Sequence, residues 1–244
     1  MLIALLTAIG VGASTIIGSM ASFFVKRVSH KVSDAIMSFA AGIMLSATFF
    51  SLILPALLNK NDTPFVILGV ISGAFLIRII DKIVPHIHNL IEPDQKDGEL
   101  HKVILFLIAI AIHNFPEGLA VGVSFGTENI KNAFSIAIGI SLQNIPEGMI
   151  TILPLVLAGV SRKKAFTIAL FTGVSEILGV ILGYFTVSVS AILLPFILAL
   201  AGGTMLYVIS HDMIPETHSH GYETTATFSL IFGFVTMIII WSIF

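Results

Sequence analysis

The 244 residues are 56% hydrophobic and 11% charged, with a mean hydropathy of +1.04, a net charge of −2 and a pI near 6.4. A soluble domain usually carries about a quarter charged residues, so the polar surface here is too small to cover a globule, and lipid must be the solvent for most of the chain. No basic tract argues for nucleic acid, and the absence of cysteine excludes disulfides and thiolate metal sites, leaving His, carboxylate, amide or backbone oxygen to hold any metal.

The first apolar stretch runs from Leu2 to Val25 without a basic region before it, and Lys26 and Arg27 follow it. It is expected to be a membrane span and not a cleaved leader. Further apolar stretches over 33–58, 64–84, 103–125, 131–158, 164–188, 191–212 and 224–244 complete eight spans in a single transmembrane domain over 1–244, each of the roughly 20 residues a bilayer requires. The predicted class is an all-α integral membrane protein. The tightest turn is expected between Ser188 and Pro195, and the longest polar break between Pro85 and Lys102, a loop of about 85–102 carrying His86 and His88. Small residues recur, as at Gly10, Gly12, Ser14 and Gly18. They let helices approach closely in lipid and allow a homodimer without demanding one.

Of the twelve Lys and Arg, ten (Lys26, Arg27, Lys31, Arg78, Lys82, Lys96, Lys102, Arg162, Lys163 and Lys164) fall on one side of this arrangement, and only Lys60 and Lys131 on the other. The positive-inside rule makes the first side cytoplasmic and both termini extracytoplasmic.

Two spans share one pattern thirty residues apart: His113-Asn114-Phe115-Pro116-Glu117-Gly118 and Gln143-Asn144-Ile145-Pro146-Glu147-Gly148. A charged side chain at bilayer depth costs roughly 2.5–3.5 kcal/mol even on the low scales, and neither glutamate has a basic neighbour in sequence, so a bound cation is the simplest compensation. Residues four apart share a helix face, which aligns His113 with Glu117 and Gln143 with Glu147. Asn114 and Asn144, one position on, line an adjacent site. Each proline should kink its helix and release the carbonyls of Ile112 and Leu142, and exposed backbone at this depth is tolerated where it lines a polar cavity. Broken helices in corresponding positions point to a transporter's binding site.

Glu176 adds a third intramembrane carboxylate within Thr172-Gly173-Val174-Ser175-Glu176. This mixed N/O set suits Zn²⁺, Fe²⁺, Mn²⁺, Co²⁺ or Cd²⁺ better than Cu⁺. Three glutamates compensate most of the charge of two such ions, so a binuclear site bridged by Glu117 and Glu147 is expected. Met44 offers a thioether, although core filling is a methionine's ordinary role. The metal is the substrate, and no organic cofactor is expected.

These paired motifs, with eight spans and a polar loop after the third, resemble the ZIP (Zrt-, Irt-like) metal transporters over essentially the whole chain, nearest to their prokaryotic GufA-like branch. Asp34 to Met44, Ser51 to Pro55, Glu176 and His211 to His218 are similar to that branch as well. The resemblance implies that spans 1–3 and 6–8 are inverted repeats around the kinked pair formed by spans 4 and 5. It implies a first metal site of Met44, His113, Glu117, Gln143 and Glu147, and a second of Asn114, Glu117, Asn144, Glu147 and Glu176. Gln143 stands where many members carry His, and Asn144 where Asp occurs, which retunes both sites.

The expected activity is movement of divalent transition metals, Zn²⁺ above all, into the cytoplasm across a prokaryotic plasma membrane. Asp34, His211, Asp212, Glu216, His218 and His220 are candidates for the exit path, because histidine is the commonest metal ligand near neutral pH; for them, as for His86 and His88, a solvated face is the plain alternative. A proton-coupled exporter or antiporter is the nearer rival, since buried glutamates also serve proton relays. An intramembrane metal hydrolase would need a His-Glu-x-x-His zinc motif or a Gly-x-Ser-x-Gly turn, and the sequence contains neither.

Overall fold

A computed structural model describes residues 2–24, 29–58, 60–83, 114–126, 130–157, 160–189 and 193–243. The expected loop over 85–102 with His86 and His88, and also His113, lie outside the described residues. The helices are α1 (Leu2–Ala21), α2 (His30–Ala56), α3 (Thr63–Ile83), α4 (described over 114–126), α5 (Ile130–Leu157), α6 (Arg162–Val189), α7 (Leu194–Thr217) and α8 (Glu223–Ile243). Among the described residues there is no strand, and six helical segments are long and apolar enough to cross a bilayer: Leu2–Phe24, His30–Ala56, Lys60–Ile79, Arg162–Thr186, Leu194–Thr217 and Glu223–Ile243. With these spans the chain is an integral membrane protein.

Local chemistry explains where the helices start and bend. The Ser29 hydroxyl accepts a hydrogen bond from the Val32 amide and caps α2. Both α2 and α7 widen into a π-helix, over Thr48–Ile53 and Ile209–Met213, immediately before a short α segment with Pro55 or Pro215 in its first turn. A proline ring clashes with the carbonyl four residues earlier, here that of Ser51 or His211, and the wider π turn relieves the clash. For this reason α7 runs on to Thr217, five residues beyond the end at 212 that hydropathy alone suggests. In α5 the helix continues without a break through Pro146.

The helices form two groups. In one, α1 packs on α5 and α6, with Gly12 and Gly173 so close that a Cβ on either would lie 2.7 Å from the other's carbonyl oxygen. In the same group α4 lies on α6, where Gly118 meets the Glu176 carbonyl and Gly122 that of Val180. In the other group α2 packs on α8 and α3 on α7, with Gly42 against the Leu230 carbonyl and Gly203 against that of Val70. Small residues permit such backbone approach where lipid supplies no apolar attraction between helices. Between the groups, α5 meets α2 and α8, and at Gly139 the nearest atoms are side chains, those of Met237 and Ile43. The outward faces of α3 and α8 carry exposed Leu68, Phe75, Phe228 and Phe232, as a lipid-facing surface should.

Candidate metal site

The two Pro-Glu-Gly motifs meet inside the first group. Gln143 Nε2 donates to Glu117 Oε1 at 2.7 Å. Asn114, Glu117, Gln143, Asn144 and Glu176 are all buried, with Glu117 only 1% exposed; Glu147 is half-buried. Among the described residues none of the three glutamates forms an ion pair.

Glu176 is held on both oxygens. Asn144 Nδ2 donates to Oε1, and Thr15 Oγ1 donates to Oε2 at 3.0 Å. Ser19 Oγ reaches the Thr15 carbonyl at 2.8 Å and the Gly148 carbonyl at 3.2 Å, which ties α1 to α5 just past Glu147. Thr15 and Ser19 border the constellation without having been singled out by sequence. A hydroxyl residue in a small-residue stripe carries no signal of its own.

Five oxygens of this constellation, Asn114 Oδ1, Glu117 Oε2, Gln143 Oε1, Asn144 Oδ1 and Glu147 Oε2, are buried without a hydrogen-bond partner among the described residues. Buried acceptors are almost always satisfied, and a cation satisfies several at once. Among the described residues no three His, Asp or Glu side chains converge as a ready-made metal cluster. What the fold brings together is carboxylate paired with carboxamide, with His113 outside the described residues. Met44 is buried in the main apolar cluster beside Met205 and Met213.

A second polar cluster lies where the start of α2 meets the turn after α7. His220 Nδ1 is 3.1 Å from Asp34 Oδ1, and the His30 ring stacks on that of His220 at 4.3 Å. Asp34 is buried, and its other oxygen has no partner among the described residues. His30 joins the cluster without having been singled out by sequence. His218 is engaged differently, its Nδ1 on the Ile214 carbonyl at 2.9 Å and its Nε2 on Thr227 Oγ1 at 3.2 Å, so it ties α7 to α8. His211 is exposed and packs on Tyr207, Asp212 is half-buried, and Glu216 is exposed.

The family model described as ZIP zinc transporter matches residues 92–241, which include both motifs, Glu176 and the His211–His220 region. The chain belongs to the ZIP family. The zinc transporter GufA of Myxococcus xanthus is 38% identical over 94% of this chain and 94% of its own length. The zinc transporter ZIPB of Bordetella bronchiseptica is 35% identical over 92% of this chain and 76% of its own, and the zinc transporter ZupT of Streptococcus mutans is 32% identical over 96% and 94%. As a prokaryotic-type ZIP family member the chain is a transmembrane transporter and not an enzyme.

Proposed function

We propose that this ZIP protein carries divalent transition metal ions, Zn²⁺ foremost, into the cytoplasm through a site shared by Glu117 and Glu147. The observation that carries the reading is the set of five buried oxygens on α4 and α5 without a hydrogen-bond partner among the described residues, acceptors that a divalent cation would satisfy. His113, Met44 and Gln143 join the two glutamates around the first ion; Asn114, Asn144 and Glu176 join them around a second. Oxygen-rich ligands of this kind also admit Mn²⁺, Fe²⁺, Co²⁺ and Cd²⁺. The relatives named zinc transporters support zinc as the foremost cargo.

The architecture we propose has eight spans in one domain, with α1–α3 and α6–α8 as inverted repeats around α4 and α5. Its support is reciprocity. Exchanging α1 with α6, α2 with α7 and α3 with α8 turns the α3–α7 contact into the α8–α2 contact and leaves α1–α6 unchanged. The exchange also sets the π turn before Pro55 opposite the π turn before Pro215. Extracytoplasmic termini in a prokaryotic plasma membrane fit the ten-to-two bias of Lys and Arg, and small-residue faces leave room for a homodimer. Metal admitted from outside loses its water to the glutamate pair. It leaves past the Asp34–His220 cluster once the α1/α4/α5/α6 group moves against the other.

The test is Zn²⁺ influx into liposomes holding the purified protein and an internal dye, with Glu117→Ala and Glu147→Ala. Each substitution is expected to abolish influx in folded protein, and wild-type influx in either would refute the shared site.

A further inference from the structure

We propose that Thr15 is a positioning residue of this transport site, fixing Glu176 so that its other carboxylate oxygen stays aimed at the second ion. The inference rests on the reading of Glu176 as a ligand and goes beyond it to the residue that aims it.

The geometry is reciprocal. Gly12 and Gly173 touch each other at the crossing of α1 and α6, and three residues beyond them stand Thr15 and Glu176. The Glu176 carbonyl lies against Gly118, the glycine that follows Glu117, and the Thr15 carbonyl lies against Gly148, the glycine that follows Glu147. Each motif glycine therefore seats one of the two residues, and neither backbone can shift without displacing a helix. Thr15 holds in α1 the place that Glu176 holds in α6, with a hydroxyl where the other has a carboxylate.

Across that junction the Thr15 hydroxyl donates to Glu176 Oε2 at 3.0 Å while the Asn144 amide donates to Oε1. Thr15 is 3% exposed and Glu176 is fully buried, so water does not substitute for either donor. The two bonds differ in what an arriving ion does to them. Asn144 also supplies an Oδ1 without a partner among the described residues, so an ion can draw Glu176 Oε1 and the Asn144 carbonyl oxygen together by displacing the amide N–H. The Thr15 bond lies on the opposite oxygen and persists. It keeps the carboxylate in one orientation before and after the ion arrives, the part that hydrogen-bonded partners of metal ligands ordinarily play.

The test is Zn²⁺ binding to purified full-length protein by calorimetry for wild type, Thr15→Val, Thr15→Ser and Glu176→Ala. Thr15→Val keeps the side chain's shape and removes the donor. A hydrogen bond to a charged group is worth enough to weaken the weaker of two binding events by roughly tenfold to a hundredfold, while the stronger event, which does not use Glu176, persists and thereby reports an intact fold. Thr15→Ser is expected to restore the weaker event. Unchanged weaker binding in Thr15→Val, alongside its loss in Glu176→Ala, would overturn the role of Thr15 and leave Glu176 a ligand. A single binding event in the wild type, or two intact events in Glu176→Ala, would overturn the ligand reading and the role of Thr15 with it.

Discussion

The Gln143 amide donates to Glu117 Oε1 across 2.7 Å, so the residue one turn before the second motif's glutamate is engaged by the glutamate of the first. The hydrogen bond orients a carboxylate and leaves the amide oxygen, Gln143 Oε1, without a partner among the described residues. Gln143 thus serves as donor and as candidate ligand through different atoms.

Removing both capacities should be costly. Gln143→Ala is expected to weaken Zn²⁺ binding by about tenfold, the lower end for loss of a residue that supports a metal site. Gln143→His replaces an amide oxygen by imidazole nitrogen, which suits Zn²⁺ more than Mn²⁺, so the Zn²⁺/Mn²⁺ preference should rise. Competition binding with the two ions checks both, and an unaltered preference in Gln143→His would remove position 143 from the ligands.

The glycine contacts give a sharp internal contrast. A Cβ on Gly118 would overlap the carbonyl of Glu176, whereas one on Gly10 meets nothing within 4 Å. Gly118→Ala should therefore lower the melting temperature and suppress transport together, because the backbone that carries Glu176 has no room to retreat. Gly10→Ala should leave transport unchanged and leave stability equal or slightly raised, since alanine is preferred over glycine within a helix by up to about 1 kcal/mol. Thermal unfolding in detergent with parallel influx assays separates the two.

Hydropathy made six of the spans legible, because apolar runs of bilayer length end wherever Lys, Asp or Pro gather, and two glutamates in apolar runs stand out for their cost alone. The π turns were harder to foresee, since Pro55 falls inside the span expected over 33–58 and Pro215 beyond the one expected to end at 212, and neither shows that α2 and α7 widen to accommodate them. A signal did exist: Gly42-Ile43-Met44-Leu45 and Gly203-Thr204-Met205-Leu206 each stand a dozen or so residues before a proline, an internal echo of the kind a repeat leaves. Thr15 had no such mark, for its significance lies in which helix it crosses. His218, expected with the exit-path residues, has its two ring nitrogens on Ile214 and Thr227, contacts that the sequence does not announce.

The two histidines of the α7–α8 turn should consequently part company. His220 faces Asp34, and Asp34→Asn removes a buried carboxylate on the proposed exit path. Influx is expected to slow severalfold in that variant while Zn²⁺ binding at the glutamate pair stays as in wild type. His218→Ala instead removes one bond to the end of α7 and one to α8, and with them the link between the two helices; it should cost stability, of the order of 1 kcal/mol for each neutral hydrogen bond, with transport per folded molecule unchanged. The reverse assignment of the two phenotypes would place the exit at His218.

Movement of one helix group against the other requires a seam that can slide, and Gly139 marks it. Within the groups several glycines press on backbone, as Gly42 does on Leu230 and Gly148 on Thr15, but a Cβ on Gly139 would meet the flexible thioether of Met237 and, farther off, Ile43. Side-chain contacts of this kind can re-form after a shift, whereas interlocked backbones cannot. Gly139→Val should fold, since the methionine end can turn aside, bind Zn²⁺ with wild-type affinity, and transport at least severalfold more slowly because the added bulk catches on α8. Met237→Ala alone should change little, and combined with Gly139→Val it should return most of the lost rate, a non-additivity expected only of residues in contact. Influx rates and binding affinities of the four proteins complete the cycle; equal slowing by Gly139→Val with and without Met237 would place the moving seam elsewhere.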